Sequence, residues 1–317
     1  MAAPGQRIIR TAVDWSSAGL LLADFLAGRF TYRSREEWCV RINSGEITLN
    51  SSPVSPEYRL ELHDVIEYHP QDIPEPPART DYRIIHEDDD ILVIDKPGNL
   101  CVHPSGPFYK NTLWFLLRQN YPQIHFINRL DRETSGLLLA AKNSSIASAI
   151  AAKGSVSGKS YLVIVHGRFT EPYKAEGFLV PAGTLVRKKR KFKEQCLPDE
   201  KGESALTFLT PEAAGEKFSL VRAVLGTGRT HQIRATLHSL GFPVVGDKLY
   251  GMDERLFLRQ KSEDFTAGEL AVLQLPRQAL HSTAFEFTHP ASGVKMFFES
   301  PLPPELQKFT IENIIGV

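Results

Sequence analysis

Ile127-Asn128-Arg129-Leu130-Asp131-Arg132-Glu133-Thr134-Ser135-Gly136-Leu137-Leu138-Leu139-Ala140-Ala141-Lys142 is the stretch on which the reading of this chain turns. Four charged residues within five positions run through Ser135-Gly136 into an unbroken apolar run. A short apolar run bounded by turn residues reads as a buried strand, here Leu137 to Ala141. Asp131 stands between Arg129 and Arg132, whose positive potential should keep it ionised. The plainest reading of the cluster is a surface salt-bridge turn ahead of that strand.

Outward from this strand the pattern is mixed. Tyr82 to His86 and Ile91 to Asp95 read as strands joined by the acidic turn Glu87 to Asp90. Tyr161 to His166 and Ser219 to Leu225 read as further strands. Phe285 to Thr288 and Val294 to Phe298 read as a closing hairpin. A helix after Thr230 carries Ile233, Leu237 and Leu240 on one face and stops at Gly241. Strands outnumber helices and do not alternate with them, so the expected class is α+β with a mixed, largely antiparallel sheet.

The stretch His69 to Thr80 holds four prolines in twelve residues and has no apolar periodicity, which predicts a semi-rigid linker. It separates a small unit, residues 12–68, from a large one, residues 81–317. In the small unit Leu20, Leu21, Phe25 and Leu26 share a helical face over Ala18 to Leu26, with Gly28 as its stop. A second helix starts at Ser34, with Glu37 completing a capping box. Trp38 and either Val40 or Ile42 should face the core. A turn at Ser44-Gly45 and strands at Glu46 to Asn50 and Val65 to Tyr68 follow.

Composition narrows the function. The chain has 317 residues, 42% of them apolar, with 37 basic and 37 acidic side chains. Such a chain can bury a core without staples, and its zero balance excludes a wholly basic nucleic-acid binder while allowing a local basic face. Three cysteines, Cys39, Cys101 and Cys196, without a close pair, argue against a disulfide framework and for a reducing, cytoplasmic setting. No apolar run approaches the ~18 residues of a membrane span, and no secretory signal is read at the start.

A second informative stretch is Gly226 to Gly241, GTGRTHQIRATLHSLG. A glycine-rich turn leads into a helix N-terminus, a place that can bind anions. His231, Arg234 and His238 share the face opposite the apolar one. Their spacing does not suit a two-histidine metal site, and no metal is expected. Arg187 to Lys193, RKKRKFK, is open to two readings: a phosphate contact or a solvated, mobile loop.

Taken together, these stretches carry a resemblance. Arg129-Leu130-Asp131 with Thr134-x-Gly136-Leu137-Leu138, followed by Gly228-Arg229-Thr230-His231-Gln232-Ile233-Arg234, resembles the RluA family of RNA pseudouridine synthases. Lys96-Pro97, Val102-His103-Pro104, Lys159-x-Tyr161, Gly246-Asp247-x-x-Tyr250-Gly251 and His289-Pro290 extend the likeness over the large unit. The small unit resembles the alpha-L RNA-binding module through Arg33-x-Arg35, Trp38, Ile42-x-x-Gly45-x-Ile47-x-Leu49-Asn50 and Asp64-Val65-Ile66.

The resemblance implies an enzyme that moves the uracil–ribose bond from nitrogen to ring carbon five, in ribosomal or transfer RNA. It implies no cofactor and no protein partner, and a monomer is expected. Asp131 would be the carboxylate that acts at the sugar, by covalent addition or by proton abstraction. Arg234 would be its ion-pair partner, with Arg229 as second candidate. Arg129 would fill the place of the flipped base. Tyr161 would stack on the uracil and assist proton removal from carbon five. Lys159, Arg229 and His231 would bind substrate. One departure stands out: Asn128 occupies a position where the family usually has histidine. Two other readings are a catalytically silent RNA-binding protein on the same fold, and a glycosidase using Asp131 and Glu133.

Overall fold

A computed structural model describes residues 8–30, 33–70, 75–152, 156–184, 189–197, 200–259 and 265–316. Among them no helix is long and apolar enough to cross a membrane. The chain divides into two compact units, Met1–Glu75 and Pro76–Val317. The division falls inside the proline-rich stretch, of which residues 71–74 lie outside the described ones.

The first unit runs β1 (Ile9–Ala12), α1 (Leu22–Arg29), α2 (Arg35–Asn43), β2 (Ile47–Leu49), β3 (Ser52–Pro53) and β4 (Val65–Tyr68). Its antiparallel sheet has the order β1-β4-β2-β3. The capping box forms: Ser34 accepts from the Glu37 N–H at 3.2 Å, and Glu37 accepts from the Ser34 N–H at 2.8 Å. Leu22, Leu26, Trp38, Ile42, Ile47 and Ile66 fill the core, while Val40 faces outward. The first helix begins at Leu22 rather than Ala18, because Gly19 takes a left-handed φ of 85° and the Leu22 N–H is drawn to the Tyr58 carbonyl at 2.9 Å. Gly28 lies inside that helix and does not stop it. Strand β1 was not foreseen; it is only four residues long, and none of them is fully buried against β4.

The second unit begins with β5 (Arg83–Glu87), β6 (Ile91–Lys96), α3 (Leu113–Arg118), β7 (His125–Phe126), β8 (Ser135–Ala141) and α4 (Ser144–Ala152). It continues with β9 (Val156–His166), β10 (Tyr173–Pro181), β11 (Arg190–Lys193), β12 (Glu203–Ala214) and β13 (Phe218–Leu225). Then come α5 (Gln232–Ser239), α6 (Arg255–Arg259), α7 (Ala267–Leu273), β14 (Leu280–Thr288), β15 (Lys295–Glu299) and α8 (Pro304–Thr310). The sheet has the order β11-β10-β12-β13-β9-β14-β8-β6-β5, with β15 on β14 and β7 on β8. All pairings are antiparallel except β14 with β8. The class is α+β with a mixed sheet, as the sequence led us to expect.

Strand β8 lies deep in this unit, between β14 and β6, and all seven of its residues are buried. That burial on both faces is why its sequence is a continuous apolar run and not an alternating one. At its start β8 presses against β14. Gly136 has φ 106°, and a Cβ there would stand 2.2 Å from the Ser282 carbonyl oxygen. Glycine alone permits this approach. The basic run departs from its loop reading. Arg187 and Lys188 lie outside the described residues, but residues 190–193 form β11. Its cations are largely engaged: Lys189 with Glu254 at 2.7 Å, Arg190 with Glu203 at 3.1 Å and Lys193 with Glu200 at 2.5 Å.

Candidate active site

Asp131 sits in the tight turn that feeds β8, where the Thr134 N–H bonds back to the Asp131 carbonyl at 3.2 Å. Arg234 reaches it from the first turn of α5, a hundred residues on in the sequence. The Arg234 guanidinium donates through one nitrogen to Asp131 at 2.6 Å. With its other two nitrogens it donates to both oxygens of Asp247, at 2.5 and 2.8 Å. Asp247 is fully buried and also accepts the N–H groups of Leu249 and Tyr250, each at 2.9 Å. The Tyr250 ring lies 5.0 Å from the guanidinium. One carboxylate thus orients the arginine, and the arginine orients the other. A planar fork is suited to this double duty in a way that an ammonium is not.

The electrostatics follow the geometry. Burial by itself would raise the Asp131 carboxyl, but the charges of Arg234 and His231 outweigh it and hold the group below the usual carboxylate value. Burial would likewise raise Asp247, and Arg234 again overrides it. Burial would favour a neutral Arg234, yet the two carboxylates beside it raise its pKa, so it stays charged. The flanking arginines do not supply this stabilisation, contrary to the first expectation. Arg129 is exposed and has no partner among the described residues. Arg132 lies over the Phe108 ring at 5.2 Å and approaches Glu133 at 3.3 Å.

His231 caps α5 in a left-handed conformation, φ 59°. Its Nε2 stands 3.7 Å from Asp131 and its Nδ1 3.1 Å from the Tyr250 hydroxyl. Arg229 does not pair with Asp131; its Nε donates to the Ser204 carbonyl at 3.1 Å, and the side chain is exposed. The cationic face of α5 is therefore not a solvated one, since Arg234 is as buried as its apolar neighbours.

Tyr161 belongs to the same site through the sheet. It pairs with Ser282 across β9 and β14, and Ser282 pairs with Gly136 across β14 and β8. Burial, with the Asp131 charge adding to it, pushes the phenol up to about 12 against the pull of the Ser282 hydroxyl. The phenol is therefore protonated at neutral pH. Lys159, half-buried two residues earlier, comes to 4.0 Å from where a Cβ on Gly228 would stand. This places it beside the glycine-rich turn, and burial lowers its pKa.

Three supporting residues were not assigned roles from sequence. Gln278 donates to Thr134 at 2.5 Å and lies 3.5 Å from Asp131. Lys96 is fully buried, and its Nζ donates to the carbonyls of Pro97, Leu100 and Arg132 at 2.8, 2.9 and 3.1 Å. Burial and the nearby Arg277 lower it to about 7. It ties the end of β6 to the turn that carries Asp131. Asp247 is the third. Lys96 and Asp247 each lie in a quoted motif, but neither motif says what the side chain holds. Gln278 carried no sequence signal at all.

Asn128 has its own account. Its carboxamide accepts the Leu139 N–H at 2.8 Å and faces the Leu137 carbonyl at 3.4 Å. It extends the β7 pairing by one residue with a side chain in place of backbone. A two-carboxylate glycosidase is poorly served by Glu133, which is engaged by Lys248 at 2.7 Å and by the Gln278 N–H at 3.2 Å.

The pattern of the RNA pseudouridylate synthase family matches residues 90–239, which contain Asp131, Tyr161 and Arg234. An uncharacterized RNA pseudouridine synthase of Bacillus subtilis, YlyB, is 30% identical over 310 residues, covering 92% of each chain. The chain belongs to the RluA family of RNA pseudouridine synthases. The ribosomal large subunit pseudouridine synthase D of Vibrio vulnificus is 30% identical over 96% of this synthase and 90% of its own length. Human RNA pseudouridylate synthase domain containing 1 superposes with a TM-score of 0.55 at 25% identity, covering 74% of this chain and 89% of its own.

Proposed function

We propose that this RNA pseudouridine synthase acts on a uridine of ribosomal RNA with Asp131 as the carboxylate that works at the ribose. The observation that carries this is the Asp131–Arg234–Asp247 chain of ion pairs. It keeps one partly exposed carboxylate ionised and aimed, while spending a buried carboxylate to fix the arginine. Asp131 either displaces the uracil at the anomeric carbon or takes the neighbouring ribose proton, and the uracil leaves as its anion. It turns and bonds to the sugar through carbon five, which frees the carboxylate or returns its proton to the ribose. Carbon five then loses its proton while the freed ring nitrogen gains one. Tyr161, neutral, stacks on the uracil. Arg129, exposed and unpaired among the described residues, occupies the space left by the extruded base. Lys159, Arg229 and His231 surround the mouth with positive or polar groups suited to phosphate and base.

The ribosomal target is supported by the relatives named for the large ribosomal subunit. The first unit serves as an alpha-L RNA-binding module, and the protein works as a cytoplasmic monomer. In that unit Arg29 lies over Phe25 and Phe30, each at 5.9 Å, on a surface suited to RNA. The test is to map pseudouridine in ribosomal and transfer RNA from cells with and without this protein, and then with Asp131→Asn. One ribosomal site should vanish in both the deletion and the variant, with the variant's fold and RNA affinity nearly intact. Turnover by Asp131→Asn would remove Asp131 from the chemistry, and a site lost only from transfer RNA would refute the ribosomal assignment.

A further inference from the structure

Strand β7 and helix α3 border an open groove of about 600 Å³. Trp114 and Arg118 of α3, His125 and Phe126 of β7, and His103 line it, and no carboxylate does. The Arg118 guanidinium lies 4.6 Å from the Trp114 ring centre, and His103 meets Phe126 edge-on at 5.2 Å. Arg118 is exposed and has no acidic partner among the described residues; the four rings are each partly open to solvent.

Two stretches of chain run from the groove to the catalytic turn. Phe126 precedes Arg129 by three residues, at most about 10 Å of extended backbone. His103 follows Leu100 by three residues, and the Leu100 N–H donates to the Arg132 carbonyl at 3.0 Å. The Arg129 charge reaches His103, where it adds to burial in lowering the imidazole. A strand of RNA leaving the space at Arg129 thus has the groove within a few nucleotides.

We propose that this groove receives an unpaired base of the substrate RNA a few nucleotides from the target uridine. The base stacks on the rings of Trp114 and Phe126, with Arg118 on a neighbouring phosphate. Ring faces accept any base, and a lining that carries Arg118 and no carboxylate suits a polyanion. The inference rests on the functional reading above and adds a second point of contact to it.

The test uses the full chain and the ribosomal fragment that carries the mapped uridine. An abasic site is moved one position at a time through the flanking nucleotides, and affinity is measured by filter retention. At one position the unaltered protein should lose about tenfold in affinity, the worth of one base stack. The same RNA should cost Trp114→Leu little more than that variant has already lost. Arg118→Ala, at an exposed position that does not threaten the fold, should weaken binding of every fragment alike and flatten its salt dependence. If every abasic position costs the unaltered protein and Trp114→Leu the same factor, the groove holds no base. Pseudouridine formed together with such equal losses would overturn the groove alone. No pseudouridine formed by the unaltered protein would overturn the functional reading and the groove with it.

Discussion

At the scale of single residues, the site depends on one guanidinium serving two carboxylates. Asp131 has a lowered pKa, so its ionised form should persist through neutrality and be lost only as the pH falls below the usual carboxylate value of 3.8. Arg234→Gln removes the charge that opposes burial. The Asp131 pKa should then rise, and the acid limb of the single-turnover rate should move toward neutral pH. An unmoved limb would detach Arg234 from the ionisation of Asp131. The same change strands Asp247, and losing a buried partner costs about 3–5 kcal/mol. Asp247 is itself depressed, so its pairing contributes stability above the unfolded carboxylate pKa and loses it as pH falls through the lower folded value. Arg234→Gln should lose this acid-sensitive portion, which urea titrations at two pH values would show. Arg129→Ala concerns another step. Unstacking is costly in a folded stem and small in a loose strand. The variant should therefore lose far more activity on a structured RNA than on a short unstructured one with the same uridine. Equal losses with a displaced pH optimum would make Arg129 an electrostatic support instead.

At the scale of elements, the site hangs on the contact between β8 and β14. Gly136 lets the two strands meet in parallel, which sets Tyr161 two strands from the turn that holds Asp131. Gly136→Ala would force a methyl against the Ser282 carbonyl at a φ that alanine resists. A cost of about 3 kcal/mol or more follows, from left-handed strain plus overpacking. Urea denaturation checks it, and a loss under about 1 kcal/mol would mean that the strands part easily, contrary to the packing. Activity should fall more steeply than stability, because Tyr161 and Asp131 would lose their common frame. Helix α5 makes a similar point. Its pattern predicted one buried face, yet Arg234 is buried on the other, with Asp247 and Tyr250 closing over it.

At the scale of the whole molecule, the chain offers two units that each enclose a core. A fragment of residues 76–317 should fold alone, melt cooperatively and remain soluble, since domains joined by a proline-rich connection share few contacts. It should bind structured RNA more weakly while its single-turnover rate changes less. An unfolded or insoluble fragment would refute the independence of the units. Light scattering on the full chain should give one species of 35.5 kDa, and a larger mass would refute the monomer.

The sequence by itself determined the α+β class, the strand at Leu137 to Ala141, the helix after Thr230, the closing hairpin and the family. These are local or motif-borne: an apolar run, a capping box such as Ser34 with Glu37, and a spaced set of residues are legible without knowing what lies opposite. Strands β10 and β12 escaped because apolar residues fall on both of their faces: Leu179 and Val180 are adjacent and both buried, and Phe208 is exposed beside a buried Thr207. Where the basic run is described, residues 190–193 form a strand and not a loop, with charges met by Glu203 and the nearby Glu200, while the preceding Lys189 meets the distant Glu254. Asp131 and Arg234 could be named as a pair from the motifs, but not the buried Asp247 that fixes the arginine between them. Sequence neighbours also suggested Arg129 and Arg132, but in the folded chain it is the motif-borne Arg234, held by Asp247, that meets the carboxylate. Charge pairing in a folded chain is decided by distance in space and by exclusion of water, and neither is written in the order of the residues.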